Sequence, residues 1–318
     1  MRKLVKVIIF LSIVLILAGG AFIAVAFAKG EFKNTNGNLV TNVHNVNDEF
    51  TNIEINDDVS DYEFVISTDG KCKVECKEKE NILHTVEVKD GTLKIGNNDT
   101  RKWYEKYFFN WDFSKIMIIV SLPDKEYNNL NINNSTGDIN ISTLKVNNAK
   151  IEVSTGDVKG KLLVKESIYV KSTTGNISLN DLTAKSAKFE SSTGYNKISG
   201  AKIEGDLNIN STTGELMLNK IEANNIYLIS TTGDIVLNDV IAKGNLNMNA
   251  STGDISFDSC DANDIKIKTS TGDVEGSLLS DKTFYTKTST GDVDVPRTSG
   301  NVCDIETSTG DIKVTIKK

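Results

Sequence analysis

Proline and histidine are almost missing from this chain, with two of each in 318 residues, and there are only two tryptophans, four methionines and four cysteines. With His44 and His84 the only histidines, a histidine-rich zinc centre is excluded. No Ser–His or Cys–His pair for nucleophilic catalysis is visible either. Four cysteines in an exported chain would invite a disulfide framework, and it is their placement, not their number, that argues against one. An excess of basic residues is also lacking: 36 Lys and Arg stand against 43 Asp and Glu, for a net charge of −7. Four of those cations (Arg2, Lys3, Lys6 and Lys29) lie in an N-terminal stretch without acids, so the remainder is more acidic still, at −11. Such a surface repels phosphate backbones, and nucleic acid is not expected as a partner. What is plentiful is Asn, Ser, Thr, Lys and Asp between short runs of Ile, Val and Leu, a mixture that favours many short strands.

Residues 7–28 carry no charge and are flanked by Arg2, Lys3 and Lys6 before and Lys29 after. As a helix they would rise about 33 Å, enough for a ~30 Å hydrocarbon core. The basic flank predicts a cytoplasmic N-terminus, a single pass through the cell membrane and an extracellular remainder. Ala26-Phe27-Ala28 also resembles a small-residue cleavage site, so a cleaved signal peptide is the alternative. Both readings export the rest of the chain.

From residue 131 onward the organising feature is a repeat. Thr-Gly recurs ten times, with glycines at Gly137, Gly156, Gly175, Gly194, Gly214, Gly233, Gly253, Gly272, Gly291 and Gly310, at intervals of 19 or 20 residues. Period-two alternation surrounds each glycine. Ile139, Val158, Ile177, Leu216 and Ile235 stand two after it, Leu179, Ile198, Leu218 and Phe257 four after, with Gly160 and Gly276 as gaps. A further apolar column, Leu144, Leu163, Leu182, Ile221, Val240 and Leu279, stands seven after. One such coil has no neighbour to cover its apolar side chains, whereas stacked coils continue each column at ~4.8 Å per step. The expected fold is therefore all-β: a single-stranded β-solenoid of about ten coils, roughly 48 Å long at that step. The glycines are read as corners needing positive φ, and Gly205 and Gly244, in the two twenty-residue coils, as bulges that absorb the extra residue.

The chain divides into an N-terminal anchor (1–29), a polar tether (30–49), an irregular β-rich cap (50–130) and the solenoid (131–318). Within the cap, Val86 and Val88, then Asp90-Gly91, then Leu93 and Ile95 predict a tight hairpin, and residues 116–122 a buried strand that stops at Pro123. The passage from Met117 through Pro123, then Leu130 through Ile139 and the recurring Ser-Thr-Gly-Asp, resembles the bacterial β-strand-repeat proteins labelled putative adhesins. That resemblance implies an envelope-associated protein; it brings no catalytic residues, since the family has none assigned.

Asp follows the glycine in seven coils. As a stacked column, notably Asp234, Asp254, Asp273, Asp292 and Asp311, it is a candidate calcium ladder, or else each carboxylate bonds its own turn. Thr precedes every glycine, and strand parity points it inward. All four cysteines read as small core residues, because Cys72 and Cys76 would lie about 13 Å apart on one extended strand. Seven aromatics crowd residues 103–113: Trp103, Tyr104, Tyr107, Phe108, Phe109, Trp111 and Phe113. They either plug the end of the solenoid or form a binding platform. The functional expectation is a non-enzymatic, membrane-anchored surface rod, adhesin-like or a scaffold, needing no cofactor. Its expected partners are the membrane and an envelope polymer or another surface protein. Alternatives are an envelope-sensing regulatory ectodomain and a polysaccharide-active β-helix enzyme.

Overall fold

The computed structural model describes residues 2–28, 38–99 and 115–317. A helix, α1 (Arg2–Ala28), is followed by strands that join one continuous 23-stranded sheet. Side-chain surroundings within α1 are described without a break over residues 9–22, where Phe10, Leu15, Ile16 and Phe22 are exposed. That stretch rises about 21 Å, and among the described residues no helix is long and apolar enough to cross a membrane. The expected transmembrane helix is thus not shown by the fold.

The solenoid is present as expected. β11 (Ile177–Ala184) and β12 (Ser186–Thr193) make one coil, β13 (Asn196–Ile203) and β14 (Asp206–Thr213) the next, β15 (Leu216–Ala223) and β16 (Asn225–Thr232) a third. Elsewhere the two halves run together, as in β9 (Ile139–Thr155), β10 (Val158–Thr174), β17 (Ile235–Thr252) and β18 (Ile255–Lys268). Parallel pairing steps by one repeat: Val158 faces Ile177, Ile177 faces Asn196, Asn196 faces Leu216. First halves stack into one sheet and second halves into another. Both point Ile, Leu and Val inward, so the core is a continuous apolar column with Ile177, Leu179, Leu216, Leu218, Ile235 and Leu237 at 0–1% exposure.

The twenty-residue coils bulge where glycine was expected to let them. Ala184 pairs with Ile203 but Ala187 with Leu207, placing the extra residue beside Gly205. The register between β17 and β18 shifts between Ala242 and Asn245, around Gly244. The apolar column seven after the glycine needs a correction at two places. Leu163 is half-buried and Leu279 is 47% exposed, while Leu162 and Leu278 take the interior. The second corner differs among coils: Asp181, Lys220, Asp239 and Ser259, six after their glycines, have φ of 48–56°, and in those coils residue seven points inward. In the coils of Leu162 and Leu278 residue six is itself an inward leucine without positive φ. At Gly276 the missing side chain is replaced by the Phe257 ring, which fills that space.

The region before the repeats continues the stack. β2 (Asn52–Asp57) pairs in parallel with β8 (Glu126–Thr136), and β3 (Ser60–Ile66) with β7 (Ile116–Leu122) and β9. Residues 52–66 thus form a coil beneath Gly137. Antiparallel strands close it: β4 (Cys72–Lys79) on β7, and the hairpin of β5 (Ile82–Lys89) and β6 (Thr92–Asp99). Part of the expected tether is ordered as β1 (Leu39–Val46), antiparallel to β4, because Val40, His44 and Val46 alternate onto its partly buried side.

The other end departs from simple stacking. β22 (Asn301–Glu306) lies between β18 and β20 (Lys282–Lys287), and β23 (Ile312–Ile316) between β19 (Val274–Leu278) and β21 (Val293–Asp294). The corner order is consequently Gly272, Gly310, Gly291, with the last two glycines exchanged relative to the sequence.

Candidate functional surfaces

All ten Thr-Gly glycines have positive φ, between 129° and 146°. A Cβ on any of them would also strike backbone of the coil below, most often the carbonyl of the glycine stacked there. Glycine is required twice over, by conformation and by close approach. Nine of the ten glycine N–H groups, all but that of Gly291, donate to the threonine carbonyl of a neighbouring coil, as from Gly156 to Thr174 and from Gly233 to Thr252, both at 2.9 Å.

The Asp column does not bond its own turn. In six of the seven, all but Asp292, Oδ1 accepts the backbone N–H of the equivalent residue one coil on: Asp138 from Asp157 at 2.9 Å, Asp157 from Asn176 at 2.8 Å, Asp234 from Asp254 at 2.9 Å, Asp254 from Asp273 at 2.8 Å. Asp61 begins the ladder by accepting from Asp138. Because the end coils are interleaved, Asp273 accepts from Asp311 and Asp311 from Asp292. Tyr195 and Glu215 interrupt it in mid-rod. The ladder occupies one oxygen of each carboxylate it includes, and among the described residues no cluster of three or more His, Cys, Asp or Glu is disposed to hold a metal ion.

The threonines before the glycines face solvent, which reverses the inward assignment. Thr136, Thr155, Thr174, Thr193, Thr213, Thr232, Thr252, Thr271, Thr290 and Thr309 are all exposed. Strand parity ends one residue early because the chain is already turning there. The inward hydroxyls belong to the position three before the glycine, and they cap glycine carbonyls: Ser172 on Gly156 at 3.2 Å, Ser230 on Gly233 at 3.1 Å, Thr307 on Gly272 at 3.1 Å. The corner therefore shows solvent two adjacent hydroxyl columns, for example Thr173 and Thr174, then Thr212 and Thr213, then Thr231 and Thr232.

A second polar centre lies buried in the cap, where sequence reading saw no Ser–His pair. His84 Nε2 is 3.0 Å from Ser60 Oγ and 2.9 Å from Asp57 Oδ2, while Nδ1 is 2.7 Å from Glu78 Oε2. The side chains of His84, Asp57 and Glu78 are fully enclosed. Tyr62 donates to Asp57 at 2.6 Å, Asn97 to its other oxygen at 2.8 Å, and Asn42 to Glu78 at 2.6 Å. Burial would lower the His84 pKa, but the hydrogen bonds and charges of Asp57 and Glu78 outweigh it and raise the imidazole above its usual 6.5. Burial would likewise raise Asp57, yet the His84 bond and charge pull it down to about 2. An imidazolium donating to two carboxylates has no lone pair to take a proton from Ser60, so this is a structural ion cluster rather than a nucleophile–base pair. No sequence signal marks it, because the partners lie up to 27 residues apart and carry no shared motif.

All four cysteines are free and buried, as expected. Burial pushes the thiol of Cys72 up to about 11, and those of Cys76, Cys260 and Cys303 up to about 12. The aromatic segment from Trp103 to Phe113 lies outside the described residues.

Among solved structures the chain is similar to a "putative adhesin" from Bacteroides fragilis NCTC 9343, with 20% identity, TM-score 0.41, and 87% of this chain and 97% of the other covered. It is also similar to a "putative lipid binding protein" from Parabacteroides distasonis ATCC 8503, with 18% identity, TM-score 0.46, and 88% and 98% covered. A "putative cell adhesion protein" from Clostridium sporogenes ATCC 15579 follows at 11% identity and TM-score 0.22, with 88% and 100% covered. No curated protein matches the sequence. The pattern of the Toastrack DUF4097 family matches residues 50–237 and 219–318, which together take in all of the repeats and nearly all of the cap, and the chain belongs to that family.

Proposed function

We propose that this protein is a non-enzymatic binding rod of the bacterial cell surface, held to the cell membrane by its N-terminal helix with residues 30–318 outside. The anchor rests on sequence: residues 7–28 are uncharged, their full length as a helix is about 33 Å, and the cations stand on the side expected to remain in the cytoplasm. The observation that carries the binding role is repetition on the outside. The same exposed columns, above all the paired hydroxyls at the glycine corner, recur in coil after coil at ~4.8 Å spacing. Repeated, individually weak contacts in a straight line suit an extended envelope polymer better than a compact metabolite, because they add through high effective concentration. The one serine–histidine contact is enclosed and already committed to two carboxylates.

The test has two arms. Protease added to intact cells from which any outer barrier has been removed should cleave the rod and leave the N-terminal segment in the membrane fraction; a mature chain in the medium beginning near Lys29 would refute the anchor. Full-length protein in detergent should co-sediment with insoluble envelope polymer in a saturable way, and absence of saturable binding would refute the rod's binding role.

A further inference from the structure

The second-half sheet of the solenoid displays two outward columns, six and four residues before each glycine. Through most of the rod these carry charge. Lys150 and Glu152 form an ion pair at 2.6 Å, and so do Lys188 and Glu190. Tyr169 donates to Glu190 at 2.8 Å. Lys266 and Lys268 occupy the same columns farther along. Between these charged coils lie three consecutive ones in which neither column holds any charge. Tyr227 stands between Asn208 and Asn247, and Ile229 between Asn210 and Asn249, each directly opposite its neighbours in the ladder. Ile229 is 47% exposed.

Among the described residues the asparagines of these two columns, Asn131 and Asn133 of the first coil included, are not hydrogen-bonded through their side chains, whereas those eight before the glycine are. Asn148 bonds Asn129, Asn225 bonds Asp206, and Asn245 bonds Asn225. The side chains of Asn208, Asn210, Asn247 and Asn249, and the hydroxyl of Tyr227, make no hydrogen bond with any described residue. Four amides therefore keep both a donor and an acceptor free around an aromatic ring and an apolar side chain.

We propose that this window binds a neutral glycan strand, a deepening of the binding-rod reading on which it rests. A primary amide presents one donor and one acceptor side by side, matching adjacent sugar hydroxyls that each donate and accept. The Tyr227 face supplies the flat apolar surface on which the C–H face of a pyranose ring packs. The window spans two coil steps, ~9.6 Å, along the rod and one two-residue step, ~6.8 Å, across it, a footprint for two or three sugar rings. The six side chains of the window are themselves neutral, with Lys188 and Glu190 one coil below and Lys266 and Lys268 one coil above. The exported part of the chain is acidic overall, which disfavours a polyanionic strand.

The experiment is calorimetric titration of the full-length protein in detergent with cellohexaose and chitohexaose as neutral probes and hexagalacturonate as the acidic one. Saturable binding of at least one neutral probe is expected, weakened tenfold or more by Tyr227→Ala and by Asn247→Asp, with no binding of hexagalacturonate. Both side chains point outward, so the melting temperature of the two variants should match the parent, and a variant that melts early is replaced by Asn249→Lys, at an exposed position. Failure of both neutral probes, or binding that survives these substitutions, overturns the proposal. So does sedimentation showing a concentration-dependent dimer abolished by Tyr227→Ala, which would assign the face to a second copy. Saturable envelope binding retained by Tyr227→Ala would leave the rod's general role standing while the window fails; envelope binding absent from the parent would remove the general role itself.

Discussion

Replacing Gly233 by valine tests the corner at its most constrained point. Gly233 has φ of 133°, where a β-branched residue is strained by about 1–3 kcal/mol. The added Cβ would also overlap the carbonyl of Gly214 in the coil beneath, so the two coils must separate. That movement weakens the bonds from Gly214 N–H to the Thr232 carbonyl and from Leu216 N–H to the Asp234 carbonyl, each 2.9 Å and each contributing about 1 kcal/mol. The expected loss is about 3–5 kcal/mol. Asp234→Ala at the next residue removes one ladder bond, from the Asp254 N–H, and should cost about 1 kcal/mol. Urea unfolding of both variants and the parent, followed by circular dichroism, measures the difference. A Gly233→Val midpoint equal to the parent's, or equal to that of Asp234→Ala, would show that neither positive φ nor the stacked carbonyl constrains this position.

The buried His84 cluster predicts a pH window for the cap. Its imidazole pKa is raised on folding, so that stability is complete below about 6.5 and is lost as pH rises through the folded value; Asp57, lowered to about 2, contributes stability above its usual 3.8 that is lost as pH falls toward 2, worth about 2 kcal/mol. Urea midpoints should therefore peak between about pH 4 and 6.5 and decline on both sides, and His84→Gln should flatten the alkaline decline; a profile unchanged by that substitution refutes the assignment. The four thiols, buried with pKa values of about 11–12, should resist an aromatic disulfide reagent at pH 8 until urea is added, and stoichiometric labelling of the native protein within minutes would contradict the structure. Ending the chain after Gly310 removes β23, which buries Ile312 and Val314 and pairs with both β19 and β21. Hydrogen exchange should accelerate across residues 274–306 and stay slow across residues 139–250, and uniform protection would show that β23 closes nothing.

The solenoid was legible because one residue type performs one task at one spacing: glycine alone satisfies both the positive φ and the stacked carbonyl, so Gly137 through Gly310 stand out. The second corner was hidden because Asp181, Lys220, Asp239 and Ser259 share a conformation without sharing an identity. Assuming one pattern there for every coil misplaced Leu163 and Leu279. Parity failed at Thr174 and Thr232, where the corner begins, and the inward hydroxyls there are Ser172 and Ser230 instead. The Asp column was visible, but its partner was not, since a side chain reaching the next coil leaves the same pattern as one reaching its own turn. The Asp57–Ser60–His84–Glu78 cluster depends on four separate strands meeting in the cap, and local sequence has no access to that. The neutral window around Tyr227 was present in the sequence as an absence of Lys and Glu, but only the register sets Asn208, Tyr227 and Asn247 side by side.

The exchanged order of the last corners has a consequence for how the rod is made. A plain repeat array grows by apposition, each coil resting on the one before, so it can pause after any coil. Here β20 and β21 have no finished neighbour to rest on when they emerge, because the strands that belong beneath them, β22 and β23, come later in the chain. Residues 282–294 must wait, with their inner faces uncovered, until residues 301–316 slide under them. The first seven coils can accordingly form in succession, whereas the last three must close together as one cooperative step.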